Sequence, residues 1–292
     1  MARILVTGAT GFIGGHLVRG LVARGDEVFA LARRSVQVSG VRVLVPASPA
    51  EIGTCIAEAA PTTVFHLATQ YVSDHRPDQV AELIAANITY GALLLEGLRQ
   101  AGVRRLVQMG SAWQRYHAVE DAYRPVNLYA ATKQAFEDLL AWYVDAGHLD
   151  AVTVRVADTY GLGDTRRKIV SLLIEAARDG IPLELSPGEQ RLDLLAVEDV
   201  VAALLRAEEL VGPGHQAFRI GADRTLTLRE LADLIGTLVG RRVPARWGVR
   251  PYRSREVMRP WDGGTLLPGW TAGTELRQGL QRLVDEACTS SA

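Results

Sequence analysis

Arg3-Ile-Leu-Val-Thr7-Gly8-Ala9-Thr10-Gly11-Phe12-Ile13-Gly14 is an aliphatic run that breaks into three spaced glycines and resumes with apolar residues at helical spacing. A strand that turns directly into a helix needs that chemistry. Gly8 makes the tight turn, Gly11 lets the backbone approach a pyrophosphate, and Gly14 lets helix and strand pack closely. The start of the helix then presents free N–H groups to the phosphates. Glycines alone also mark ordinary turns; strand, spacing and helix together imply a dinucleotide-binding loop.

On either side of this loop's period, the first two thirds of the chain alternate short β-branched runs with longer apolar-striped segments, the pattern of a parallel sheet with helices on both faces. Strands are expected at 4–7, 27–32, 41–45, 63–68, 105–109 and 152–156, and long helices at 79–100 and 128–146. The fold class is α/β, a Rossmann-like doubly wound parallel sheet. Beyond Gly161 the pattern loosens into Gly-, Pro- and Arg-rich connections with shorter helices at 167–179, 198–210, 228–239 and 274–287, which reads as a smaller C-terminal substrate-binding lobe. The expected boundaries are 1–160 for the dinucleotide-binding domain and 161–292 for the lobe, with 192–222 returning to the first domain. Thr227 and Glu230 form a capping box that opens one lobe helix, and Gly240 closes it. Residues 241–260 carry seven arginines and three prolines, either a solvated loop or an anion-binding wall.

With 292 residues, 48% of them apolar and 22% charged, the chain can bury a sizeable core, which excludes the disordered and collagen-like classes. A net charge of -1 removes the usual electrostatic case for nucleic acid or an anionic membrane as partner. Cys55 and Cys288 make neither a disulfide framework nor a metal-ligand spacing, so no metal is expected. No apolar run is read as reaching the roughly 20 residues of a bilayer span, and a strand that begins near residue 3 leaves no space for a signal peptide. A cytoplasmic location is the expectation.

An NAD site would carry an acid at the end of the second strand, to accept from the ribose 2′-hydroxyl. Ala32 stands there, followed by Arg33-Arg34-Ser35. No carboxylate repels a 2′-phosphate, and two guanidinium groups can form paired, charge-assisted bonds to it; the expected cofactor is NADP(H). Tyr129 and Lys133 are four apart in a helical segment and share one face. A phenol with a reference pKa of about 10 transfers protons poorly at neutral pH, and a cation one turn away is expected to favour its ionised form. Ser111 ends the fifth strand, at the carboxyl edge where ligands of open α/β sheets bind, and can donate to a carbonyl held between it and Tyr129. Singly these are weak signals, since Tyr–Lys pairs occur on surface helices and strand-end serines cap turns.

In combination the residues resemble the extended short-chain dehydrogenase/reductase family of nucleotide-sugar epimerases, dehydratases and ketoreductases, along nearly the whole chain. Thr7 to Gly14 matches the family's glycine loop, His66-Leu67-Ala68-Thr69 its fourth strand, Asn87 the start of its following helix, and Ser111, Tyr129 and Lys133 its catalytic triad. Arg155-Val156-Ala-Asp158-Thr-Tyr160-Gly161-Leu-Gly163 is similar to the family's segment after the sixth strand, and Gly188 to Val201 to its return from the substrate lobe. HLAT at 66–69, GEQ at 188–190 and Arg253-Ser-Arg-Glu256-Val-Met258 look like the family's deoxysugar 4-ketoreductases, such as the CDP-abequose and paratose synthases.

The resemblance implies cofactor contacts from Thr7, Gly8, Thr10, Gly11, Phe12, Ile13, Gly14, Leu67, Ala68, Thr69, Asn87, Tyr129, Lys133 and Val156, beside Arg33, Arg34 and Ser35. It implies substrate contacts from Gln70, Ser111, Trp113, Asp158, Arg191 and Arg253. The family's dehydratases carry an Asp-Glu pair directly after the residue matching Ser111. Ala112-Trp113 stands here instead, which removes that acid and base and argues against dehydration. Trp113 is read either as shaping the sugar pocket or as a core residue. The family's Arg before Asp has its counterpart one place off, in Arg191-Leu192-Asp193, and on a strand such a shift turns the side chain to the other face; Arg253 is the alternative cation. Val45-Pro46-Ala47 lacks the family's acid near the adenine.

The function implied is NADPH-dependent reduction of a dTDP- or CDP-linked 4-keto-6-deoxyhexose. A nucleotide-sugar epimerase and a non-catalytic NADP-binding protein are the alternatives. The helices at 79–100 and 128–146 show more apolar face than one sheet surface needs, so a homodimer is expected.

Overall fold

A computed structural model describes residues 1–116 and 122–289. The chain opens with β1 (Arg3–Thr7), α1 (Phe12–Ala23), β2 (Glu27–Leu31), β3 (Val41–Leu44), α2 (Ile52–Ala59) and β4 (Thr63–His66). Then come α3 (Val80–Ile84), a π turn at Ala85–Thr89, α4 (Tyr90–Gln100), β5 (Arg105–Ser111), α5 (Leu128–Asp145) and β6 (Asp150–Val156). The remainder comprises β7 (Asp158–Tyr160), α6 (Ile169–Asp179), β8 (Leu183–Glu184), β9 (Arg191–Leu192), β10 (Leu194–Ala196), α7 (Val197–Glu209), β11 (His215–Arg219), β12 (Leu226–Thr227), α8 (Leu228–Val239), β13 (Ala245–Arg246) and α9 (Leu276–Thr289).

The main sheet has seven strands in the order β11-β6-β5-β4-β1-β2-β3, and every pairing in it is parallel. Six strands were expected. The seventh, β11, lies beside β6 with Ala217 opposite Thr153; its single strongly apolar residue, Phe218, gives too little alternation to read as a strand. Because β1 pairs β2 on one side and β4 on the other, the strand order reverses there, and the carboxyl ends open a crevice.

Side chains alternate across β1: Ile4 and Val6 pack with Leu17, Leu21, Val200 and Leu204 on one face, while Leu5 packs with Ile56, Leu94, Leu98 and Phe136 on the other. A third apolar cluster, built on Leu173, Ile174, Leu231, Ile235 and Leu280, holds α6, α8 and α9 together.

Three local departures from the sequence expectations matter for the crevice. β4 stops at His66 because Leu67 and Ala68 bend over the glycine loop, with Leu67 N bonded to Thr7 O and Ala68 N to Thr7 Oγ1 at 3.2 Å each. β5 runs on to Ser111, which carries that residue to the sheet edge. The helix expected at 79–100 contains the wider turn Ala85–Thr89, in which Asn87 is buried. The helical run Pro77–Gln100 is also long and apolar enough, by length and composition, to cross a membrane, which corrects the reading that no segment is; in this fold its Leu83, Leu94, Leu95 and Leu98 are buried. Cys55 is buried and Cys288 exposed, and both are free thiols.

Candidate active site

The crevice is a cleft of about 1040 Å³. Its floor at one end is the glycine loop. Gly8 has φ +75°, and a Cβ there would lie 2.7 Å from Ala68 N; Gly11 N donates to Gly8 O at 2.9 Å. A Cβ on Gly14 would collide with the Gly8 carbonyl. α1 begins at Phe12 after an extended Gly11, with no side-chain cap and no acid in its first turn, so its leading N–H groups face the cleft free. That combination fits a pyrophosphate. Arg33, Arg34 and Ser35 line the same cleft at the end of β2, and Pro46, Ala47 and Tyr90 complete that end.

At the other end Ser111, Trp113, Tyr129, Lys133, Val156 and Asp158 line the wall, with Leu67, Ala68, Thr69 and Gln70 between. Asn127 caps α5 by accepting from Ala130 N at 2.9 Å, which places Tyr129 in the first turn and Lys133 one turn further in. Ser111 N donates to Gln114 Oε1 at 2.9 Å, and Ser111 Oγ accepts from Trp113 N at 3.2 Å. Tyr71 packs edge-on against Tyr129, ring centroids 4.9 Å apart, and against Trp113 at 5.9 Å.

Burial pushes the Tyr129 phenol up to about 12, opposed by hydrogen bonds with Thr69 and Ser111 and by the charge of Arg166. This corrects the expectation that the helix partner would draw the phenol toward ionisation. Desolvation outweighs the nearby charges, and the same desolvation brings Lys133 down to about 8, against the pull of Glu137. The phenol is thus held protonated at neutral pH.

Two residues expected to touch the cofactor, Thr7 and Asn87, stand behind the wall rather than in it. Thr7 Oγ1 bonds His66 Nδ1 at 2.7 Å. Asn87 Oδ1 accepts from Gln70 N at 2.7 Å and from Thr69 Oγ1 at 3.1 Å, and its Nδ2 donates to Gln70 O at 3.0 Å and Thr132 Oγ1 at 2.9 Å. Asn87 thereby pins the loop after β4 to α5.

Arg191 and Arg253 do not line the cleft. Arg191 is turned across the β9–β12 pair, its Nε donating to Thr225 Oγ1 at 2.8 Å and its Nη2 to Thr225 O at 2.5 Å, the outcome strand alternation predicts for its displaced position. Arg253 is exposed, and only its charge reaches inward, drawing the Tyr71 phenol down against a dominant burial effect that raises it.

Two further cations that line this end of the cleft, Arg166 and Lys168, were not singled out in the sequence. Arg166 lies over the Phe12 ring at 4.4 Å and is held by Asp164. Lys168 Nζ is 3.8 Å from Asp158 Oδ1 and 5.3 Å from the centroid of Tyr71. Burial lowers its pKa against the pull of Asp158. The signal available was the basic run Arg166-Arg167-Lys168 following Gly163.

A family model described as the NAD dependent epimerase/dehydratase family matches residues 4–221. A CDP-abequose synthase of Salmonella muenchen is 24% identical, with 97% of each chain covered. A UDP-glucose 4-epimerase of Mycolicibacterium smegmatis is 30% identical, again over 97% of each chain. Among solved structures, MoeE5 in complex with UDP-glucose and NAD superposes with a TM-score of 0.86 at 31% identity, covering 99% of both chains.

Proposed function

Since the chain belongs to the NAD-dependent epimerase/dehydratase family, whose relatives act on nucleotide-linked sugars, we propose that it is an NADPH-dependent ketoreductase of a dTDP- or CDP-linked 4-keto-6-deoxyhexose. The observation that carries the direction is Arg33-Arg34-Ser35 lining the cleft behind Ala32, where an NAD site would place an acid. The similarity to a CDP-abequose synthase along the whole chain supports the substrate class.

When bound, the reduced nicotinamide supplies the two reducing electrons. The glycine loop and the start of α1 hold the pyrophosphate, and Arg33 and Arg34 the 2′-phosphate. Ser111 donates to the keto oxygen, and Tyr129, kept protonated by its burial, gives that oxygen its phenolic proton as charge develops there. Lys133 contacts the nicotinamide ribose and offsets the negative charge that appears on Tyr129. Trp113 and Tyr71 wall the sugar and exclude water. Arg166 and Lys168 are the cations offered to the anionic part of the substrate, with Gln70 and Asp158 as polar contacts.

Following NADPH absorbance with dTDP-, CDP- and UDP-linked 4-keto sugars tests this; consumption with none of them rejects it. A second reading, a nucleotide-sugar 4-epimerase, is favoured by the 30% identity to a UDP-glucose 4-epimerase and by the NAD-bound structure at 31%. An epimerase interconverts its sugars with no net use of dinucleotide.

The Lys133 titration gives the reaction a pH limit. Lys133 must be protonated, so the competent form is complete below its pKa and is lost as pH rises through about 8. We expect kcat/KM for the ketosugar to fall above that point, and Lys133→Ala to remove the limb along with most activity. A profile that stays flat well into the alkaline range would contradict this role.

A homodimer through α3, α4 and α5 is also part of this reading. Trp142 on α5 is 61% exposed and Ile84 on α3 36%, and a two-fold interface through these helices would bury both. Light scattering at micromolar concentration should give twice the chain mass of 31.7 kDa; a monomer mass refutes the pairing.

A further inference from the structure

Lys133 and Glu137 lie one turn apart on α5, and both are buried, at 3% and 4% exposure. The Glu137 carboxylate accepts from Arg155 Nη2 of β6 at 2.6 Å. Its other oxygen, Oε1, is buried with no hydrogen-bond partner among the described residues, and so is Arg155 Nε. A pair that served packing alone would satisfy these atoms, because a buried unpaired polar group is costly. Instead a carboxylate is left half engaged one helical turn from a buried lysine.

The other groups around Lys133 offer it no counter-charge. His66 of β4 bonds Thr7, stacks on Phe136 with ring centroids 4.7 Å apart, and is pushed down to about 3 by burial and by the Lys133 charge, so it is neutral. Tyr129 on α5 is a protonated phenol and Ser111 of β5 a neutral hydroxyl. Arg155 of β6 is positive. His215 of β11, bonded to Thr153 Oγ1 at 2.8 Å, faces Glu137 from the far side, and burial lowers its pKa. Glu137 is the carboxylate that acts on Lys133.

We propose that Glu137, bonded to Arg155 and one helical turn from Lys133, is a positioning residue whose carboxylate sets the protonation of Lys133 and through it the pH range of dinucleotide binding. Removing Glu137 leaves the buried Lys133 and the half-buried Arg155 without that counter-charge. Lys133, whose pKa burial already lowers, relieves this by losing its proton more readily. Removing the Arg155 guanidinium has the opposite effect, because the positive charge that offsets the Glu137 carboxylate is then gone. The proposal rests on the reading of Lys133 as a cofactor contact.

The test is NADPH binding, followed by dinucleotide fluorescence from about pH 6 to about pH 10, in the parent chain and in Lys133→Met, Glu137→Gln, Glu137→Asp and Arg155→Met. The parent should show an inflection that Lys133→Met abolishes. Glu137→Gln should move it down by about one pH unit, which weakens binding at the parent midpoint by up to about ten-fold. Arg155→Met should move it up, and Glu137→Asp should restore much of the parent profile. If Glu137→Gln fails to fold, the upward shift in Arg155→Met stands as the test. A purely structural pair would lower thermal stability in both variants without moving the midpoint in opposite directions. Coincident midpoints overturn the proposal, and so does a parent that binds NADPH with no Lys133-dependent inflection. Ketosugar turnover plays no part in this readout, so a wrong substrate assignment leaves the binding result intact.

Discussion

Tyr129→Phe should lower kcat by about 10²- to 10⁴-fold, the usual weight of a positioned general acid, while leaving NADPH affinity as it is. The substitution removes one oxygen and keeps the ring that packs edge-on against Tyr71 at 4.9 Å. No other phenol can take over: Tyr71 is the nearest, and burial together with the charge of Asp158 holds its proton more firmly still. Ser111 cannot replace it either, since an alcohol is a far weaker acid than a phenol. Steady-state kinetics and dinucleotide binding, measured on the same preparation, separate the two contributions. An unchanged kcat would remove Tyr129 from the chemistry.

Coenzyme preference should invert in the triple variant Ala32→Asp, Arg33→Ala, Arg34→Ala. Each charge-assisted contact to a 2′-phosphate is worth roughly 1.5 to 3 kcal/mol, or about ten- to a hundred-fold in affinity. Arg33 and Arg34 are exposed, so solvent and salt hold each contact toward the lower figure. The new carboxylate adds repulsion of the phosphate and an acceptor for a 2′-hydroxyl. The ratio of kcat/KM for NADPH to that for NADH, taken at fixed sugar concentration, should therefore fall by two or more of these factors. A parent chain that already uses NADH as well as NADPH would mean the arginines read no phosphate. The epimerase reading would then gain, in line with the NAD in the MoeE5 complex.

The parts of the site that could be read in advance are those whose geometry is set within a few residues. The turn at Gly8, the uncapped start of α1 and the shared face of Tyr129 and Lys133 follow from φ preferences and helical spacing. The side to which Arg191 turns follows from strand alternation. All of these involve neighbours along the chain, so the residues themselves carry the information. The alternating pattern likewise gave the parallel sheet, but it missed β11, whose place depends on β6 offering an edge rather than on its own apolar content.

The polar and charged environment of the cleft was not legible in that way. Arg166 and Lys168 enter the substrate end only because the chain after β7 folds back over Phe12 and Tyr71. Asn87 pins the loop after β4 only because a π turn rotates it toward Thr132. Spacing alone made Lys133 the partner that would ionise Tyr129. Burial reversed that, raising the phenol and lowering the amine, while the carboxylate acting on Lys133 is shared with an arginine from β6. Conformation at short range is thus determined by the sequence itself. Desolvation and charge pairing are determined only by the tertiary structure, because they depend on which distant residues displace water from a side chain, and no local pattern records that.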